Sequence, residues 1–143
     1  FFEVITAEAT SWDFFLNMLY HLGPYGYFYG SVNYLNVQDP DSRTIPYYPG
    51  LKASLIYGYD FSQDWKSEFK LSYLSDRYAD IENSDERKLQ SIFYLGLKIS
   101  YTIQKNMGAF FEINNIFNTK RSVWEGYQEK PIDVLLGFNY FFD

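Results

Sequence analysis

The chain has 143 residues, with 12 Lys plus Arg against 18 Asp plus Glu, a formal net charge of −6. That length allows one domain, and an acidic chain without a basic run is unsuited to nucleic acid, whose phosphates demand clustered Lys and Arg. The lack of cysteine excludes disulfides and thiolate metal sites, and the single histidine, His21, cannot build a histidine-rich centre alone.

Residues 1–25 leave two readings. "FFEVITAEA" (1–9) reads as a strand. "TSWDFFLNMLYHLG" (10–23) places Phe15, Met18, Leu19 and Leu22 at helical spacing with Ser11 as a cap, and it also reads as a strand. The strand reading gives eight strands, enough to close a small barrel; the helical one gives seven. "FFLNMLYHL" (14–22) is the longest nearly apolar run, far short of the ~18–20 residues of a spanning helix, so any membrane passage is made by strands. The chain opens on Phe1 rather than Met, which reads as processing or as a piece of a longer polypeptide.

Further along, the period is two. "GYFYGSVNYLNVQ" (26–38) is strand-like but aromatic on both faces. "LKASLIYGYDF" (51–61) sets Leu51, Ala53, Leu55, Tyr57, Tyr59 and Phe61 against Lys52, Ser54, Gly58 and Asp60. "WKSEFKLSY" (65–73) sets Trp65, Phe69, Leu71 and Tyr73 against Lys66, Glu68, Lys70 and Ser72. "FYLGLKISYTI" (93–103) alternates in the same way, from Phe93 and Leu95 to Tyr101 and Ile103. "GAFFEINNIF" (108–117) turns Ala109, Phe111, Ile113 and Phe117 away from Glu112 and Asn114. Residues 132–142 close the chain, with Val134, Leu136, Phe138, Tyr140 and Phe142 on one face.

Alternation alone fits both a soluble β-barrel binding module and a membrane barrel. Four features favour the membrane. The strands run about 10–13 residues where globular strands average roughly 5–6. Short turns at 62–64 and 104–106 alternate with long polar loops at 37–50, 76–90 and 118–131. Aromatics gather at strand ends, as headgroup girdles require. The last strand stays apolar to its end, where chain termini otherwise fray. The expected fold is all-β: antiparallel transmembrane barrel strands, about 7–8 in this chain, with short periplasmic turns and long extracellular loops.

No nucleophile–His–acid set, phosphate-cradling loop or zinc motif is present, so no catalytic residue, cofactor or metal site is assigned and the chain reads as a non-enzyme. Asp76, Asp80, Glu82, Asp85 and Glu86 are hard oxygen ligands, but they alternate with Arg77, Arg87 and Lys88 without EF-hand spacing and read as a solvated loop. Arg121, Trp124 and Tyr127 are the candidate extracellular ligand contacts, with loop packing the blander reading of Trp124 and Tyr127.

"IPYYPGLKASLIYGYDF" (45–61) resembles the loop and following strand found late in TonB-dependent receptors of bacterial outer membranes. "FFEINNIFNTK" (110–120) is similar to their penultimate strand, and "WEGYQEKPIDVLLGFNYFF" (124–142) to their ending. The resemblance covers 45–142. It implies location in the cell outer membrane and a barrel segment over 1–143 that is the C-terminal part of a larger transport protein taking up a scarce nutrient of the iron-chelate, cobalamin or glycan class. The partners it implies are outer-membrane lipid, the barrel-assembly machinery, the remaining strands and plug of a longer chain, and an energy-coupling protein. Val134, Leu136, Phe138, Tyr140 and Phe142 match the barrel-assembly signal, although Asp143 follows the terminal aromatic. Nothing in the chain resembles the plug or the energy-coupling box. The alternative is a complete eight-stranded barrel with a structural, adhesive or protective role.

Overall fold

The computed structural model describes residues 8–120, 122–128 and 130–142. In chain order the strands are β1 (Thr10–His21), β2 (Gly26–Gln38), β3 (Leu51–Asp60), β4 (Trp65–Leu74), β5 (Arg77–Tyr78), β6 (Lys88–Leu89), β7 (Ile92–Gln104), β8 (Met107–Asn114), β9 (Ser122–Trp124), β10 (Tyr127–Gln128) and β11 (Asp133–Tyr140). Seven of them form one antiparallel sheet in the order β1-β2-β3-β4-β7-β8-β11. The remaining four make two small ladders, β5 with β6 and β9 with β10, within the long connections.

The ambiguous segment 10–23 is a strand over most of its length. All twelve residues of β1 are matched one to one with β2, from Thr10↔Gln38 to His21↔Tyr27. Its period-two partition decides the matter: Trp12, Phe14, Leu16, Met18 and Tyr20 share a face with Tyr34, Val32 and Phe28 of β2. A helix would have placed these side chains all around its axis. Residues 1–7, including most of the strand expected over 1–9, lie outside the described residues.

The register carries one apolar face across all seven strands. Leu55, Leu71 and Leu95 stand in line, as do Phe69, Leu97, Ile113 and Val134. This face has no cover. Among the described residues none of its large apolar side chains is buried, and Leu136 is 73% and Phe138 80% exposed. A water-soluble sheet must pack such a face against a second layer. Hydrocarbon satisfies it instead, provided that backbone groups pair along the ladder. A strand of about ten residues, at ~3.4 Å each and tilted ~45°, rises roughly 24 Å, close to the ~25 Å apolar band of membrane barrels.

Aromatic rings mark both margins of that face. At the short-turn margin Tyr59 meets Phe61 edge-on at 4.9 Å, Trp65 lies 4.5 Å from Tyr101, and Tyr140 lies 4.8 Å from Phe142. At the opposite margin Tyr73 lies 4.8 Å from Phe93. Amphipathic rings at two levels with aliphatic side chains between them match the interfaces of a bilayer.

Three connections are short: 22–25, 61–64 and 105–106. The others, 39–50, 75–91 and 115–132, are long and leave from the opposite margin. Two boundaries differ from those expected. β8 ends at Asn114 rather than running to Phe117, because Asn115 takes φ +52° and turns the chain. β11 is Asp133–Tyr140, with Phe141 and Phe142 just beyond it. Among the described residues the sheet does not close, since β1 and β11 each pair on one side only.

Candidate functional site

The polar face is organised in rows across the strands. One row holds Tyr27, Gly58, Glu68, Lys98 and Glu112 on successive strands β2, β3, β4, β7 and β8. The Tyr27 hydroxyl donates to Glu68 Oε1 at 2.5 Å. It reaches over β3 because Gly58 has no side chain; a Cβ there would lie 2.3 Å from the Tyr27 ring. Lys98, flanked by two glutamates, holds its ammonium 5.0 Å from the centre of the Phe110 ring. That ring in turn covers Gly137, where a Cβ would approach it to 2.4 Å. Tyr94 donates its hydroxyl to Asn114 Oδ1, and Asn114 Nδ2 donates to Glu112 Oε1 at 3.0 Å. Charges of both signs are thus held within a bonded wall.

Above this wall the long connections interlock. In 39–50, Asp39 accepts the Arg43 backbone N–H at 2.8 Å and its Nε–H at 2.9 Å. Burial pushes the Asp39 carboxyl up, and these donors outweigh burial to hold it below its ordinary value. Thr44 and Asn83 exchange hydrogen bonds of 2.7 and 2.8 Å, and Tyr47 N–H donates to the Tyr78 carbonyl at 2.8 Å, which fastens 39–50 to 75–91. The buried Arg77 donates to the carbonyls of Ser122 at 2.8 Å and Val123 at 3.2 Å, tying 75–91 to 115–132. Arg87 makes a forked pair with Glu125. Hydrogen bonding to Arg87 lowers the Glu125 carboxyl, and the same contact raises Arg87. Asp80 is lowered chiefly by the Ser84 hydroxyl and backbone N–H, and then by Arg87. Asn115 is fully buried and brackets Thr119 with two 3.1 Å bonds.

Two of the candidate contact residues fall in this rim. Trp124 packs on Tyr47, ring centres 4.5 Å apart, so part of its surface is committed to loop packing. Tyr127 is matched with Trp124 across the β9–β10 ladder and stays exposed. It lines a recess of about 410 Å³ with Tyr94, Asn114, Lys130 and Asp133. Arg121 lies outside the described residues. Val134, Leu136, Phe138 and Tyr140 all stand on the apolar face of β11. Residues that the sequence reading passed over as rim fasteners are Tyr47, Arg77, Asn83 and Arg87. Only the mixture of basic and acidic residues in 76–90 pointed toward such pairing. Two of the acids considered there as ligands are engaged otherwise: Asp76 pairs with Lys88 at 2.7 Å, and Asp80 bonds Ser84.

No protein-family model and no curated protein matches this sequence. Solved structures do. The siderophore receptor PiuA from Acinetobacter baumannii superposes with a TM-score of 0.80 at 15% identity, over 94% of this chain and 22% of its own. The ferric-catecholate import receptor Fiu from E. coli K12 does so with a TM-score of 0.76 at 17% identity, over 90% of this chain and 20% of its own. The copper transporter OprC gives 0.79 at 16% identity, over 95% and 24%. The chain has the fold of the C-terminal part of a TonB-dependent receptor barrel. It spans about a fifth of the length of these structures. In outer-membrane barrels of this fold an apolar face meets the lipid and polar rows line the lumen.

Proposed function

We propose that the chain is part of an outer-membrane transporter of the TonB-dependent type, which imports a scarce metal chelate through the barrel. What supports this most directly is a continuous uncovered apolar belt on one face, backed by a bonded polar wall on the other. An interlocked rim stands over that wall at the margin opposite the short turns. A complete small structural or adhesive barrel would share the belt and a polar interior, but it must close on itself, and among the described residues β1 and β11 each pair on one side only. The structures it resembles are described as a siderophore receptor, a ferric-catecholate import receptor and a copper transporter, and the first two descriptions support a metal chelate as the substrate proposed for this chain. Arg121, Trp124 and Tyr127 remain the proposed outer contacts of the substrate, and Val134, Leu136, Phe138, Tyr140 and Phe142 the proposed assembly signal. The remaining strands, a plug and an energy-coupling protein are the proposed partners.

Deletion of the gene in its host, with uptake of radiolabelled iron and copper chelates measured in metal-starved cells, tests this reading. Energy-dependent uptake should be lost on deletion and restored by the intact gene. Unchanged uptake of every chelate, or uptake indifferent to collapse of the proton gradient, would overturn it.

A further inference from the structure

Two neighbouring positions interrupt the large side chains of the apolar belt. Gly30 on β2 stands between Met18 and Leu55, and Ala53 on β3 stands between Val32 and Tyr73. They are diagonal neighbours on one face, about 7–8 Å apart, so the space each leaves merges into a single hollow. A Cβ at Gly30 would meet nothing within 4 Å, so no neighbouring side chain has moved in. Ser67, another small residue of this face, is by contrast only 3% exposed. The hollow measures about 340 Å³; Leu16, Met18 and Val32 frame one side, and Leu71, Tyr73 and Phe93 the other. No charged residue lines it. One row toward the short-turn margin it is closed by a stack of Phe28, Tyr57 and Phe69, with ring centres 4.6 and 6.4 Å apart.

What fills the hollow follows from where it lies. Ala53 is the third of the ten residues of β3, between the two aromatic levels, so the hollow is continuous with the face that meets hydrocarbon. Burial of apolar surface supplies no drive there, because lipid chains are as apolar as leucine; only packing discriminates. Over most of the belt an acyl chain touches projecting side chains on one side alone. In the hollow it is flanked on both sides and from beneath, and dispersion contacts, each small, add along its length. A flexible chain follows the diagonal from Gly30 to Ala53, whereas a second folded barrel meets the framing side chains before it reaches the floor.

We infer that Gly30 and Ala53 form the floor of an acyl-chain site on the outer wall of the barrel. Its occupant is one chain of a bilayer lipid, which exchanges more slowly than the lipid along the rest of the belt. The site requires the barrel and its membrane, and it stands whether or not the barrel imports a metal chelate.

The test uses the full-length protein in phosphatidylcholine vesicles that contain a trace of the same lipid with a diazirine midway along one acyl chain. After photolysis, mass spectrometry of the peptides locates the label. Val32, Leu71 and Tyr73, which frame the hollow, should carry several-fold more label than Leu97 and Ile99 elsewhere on the belt. Gly30→Leu with Ala53→Leu fills the hollow and should bring this excess down to the level of the rest of the belt. Ala53→Leu alone, a milder change, should give a partial loss. Ile113→Phe adds bulk to the belt away from the hollow and should leave the pattern as in the wild type. Resistance of the folded barrel to SDS at room temperature verifies that each variant folds. Uniform labelling along the belt, or filled variants labelled like the wild type, would overturn the assignment. Weak labelling at the hollow, together with chemical crosslinks joining its peptides in two copies, would replace the lipid with a second copy of the chain.

Discussion

Tyr27 and Glu68 are bonded across an intervening strand, the tyrosine ring lying over Gly58 to reach a carboxylate two strands away. The glycine is what makes the reach available. Gly58→Ala is expected to displace the ring and destabilise the barrel by about 1–3 kcal/mol, the usual cost of overfilling a packed site. Gly30 is an internal control on the same hairpin, since a Cβ there meets nothing within 4 Å. Gly30→Ala should fall within about 0.5 kcal/mol of wild type. Urea unfolding in lipid vesicles compares the two, and equal effects would count against the packing account.

Leu97 and Lys98 are adjacent in β7 and point to opposite faces. Leu97→Arg puts a charge in hydrocarbon and should cost roughly 2–4 kcal/mol. Lys98→Ala removes a cation over the Phe110 ring and should cost about 0.5–1 kcal/mol. The same unfolding experiment reads both; a reversed order would mean that the lipid and lumen faces are interchanged.

The rim should loosen in acid. Asp80 and Glu125 are held below their ordinary values of 3.8 and 4.5. A carboxyl depressed in the folded state stabilises it fully above its unfolded value, and that contribution is lost as pH falls through the folded one. Loop docking should therefore be constant from neutral pH down to about 4.5 and weaken progressively below it. Trp124 fluorescence, isolated by Trp12→Phe and Trp65→Phe, follows the change through the Tyr47 contact. Glu125→Gln should give an acid-like signal already at neutral pH.

Phe142 is 90% exposed and touches Tyr140 edge-on at the short-turn margin of β11. As an interfacial ring it adds modestly to the finished barrel. Just beyond β11 and two positions after Tyr140, it offers a handle for strand-by-strand recognition during insertion. Phe142→Ser is expected to lower the amount of folded protein in the outer membrane while leaving the melting temperature of the folded fraction nearly unchanged. Both are measured in the same cells, and a normal yield would remove the assembly role.

The main strands were legible in the sequence because a strand with lipid on one side and lumen on the other must alternate, and over 51–61, 65–73 and 93–103 it does, Ile56 and Ser67 apart. The segment 10–23 was ambiguous for a reason visible in the fold. Phe15 and Leu19 are apolar residues on the polar face, so both faces of β1 carry hydrophobic side chains and the two periods overlap. The rim was mostly illegible. β5, β6, β9 and β10 are two or three residues each, too short for any period. Their pairing depends on Arg77, Asn83 and Arg87 finding partners 38 to 46 positions away. Trp124 stands out by its residue type for ligand contact or for loop packing; its ring packs on Tyr47, a neighbour no local pattern connects to it, and stays half exposed.

Every neighbouring pair in the large sheet is also consecutive among its seven strands, so the chain never crosses itself. Under a pulling force applied at the β11 end, such a chain has no knot or clasp to resist as a whole. It would come out of the bilayer one hairpin after another, each extraction a separate force peak. The rim alters that pattern, because Arg77 and the Arg87–Glu125 pair staple the 75–91 loop to the connection that precedes β11. The first peak would thus carry the rupture of these staples as well as of β8 and β11, and would stand higher than those that follow. Mechanically, the mouth of the barrel acts as the latch on a wall that otherwise unzips.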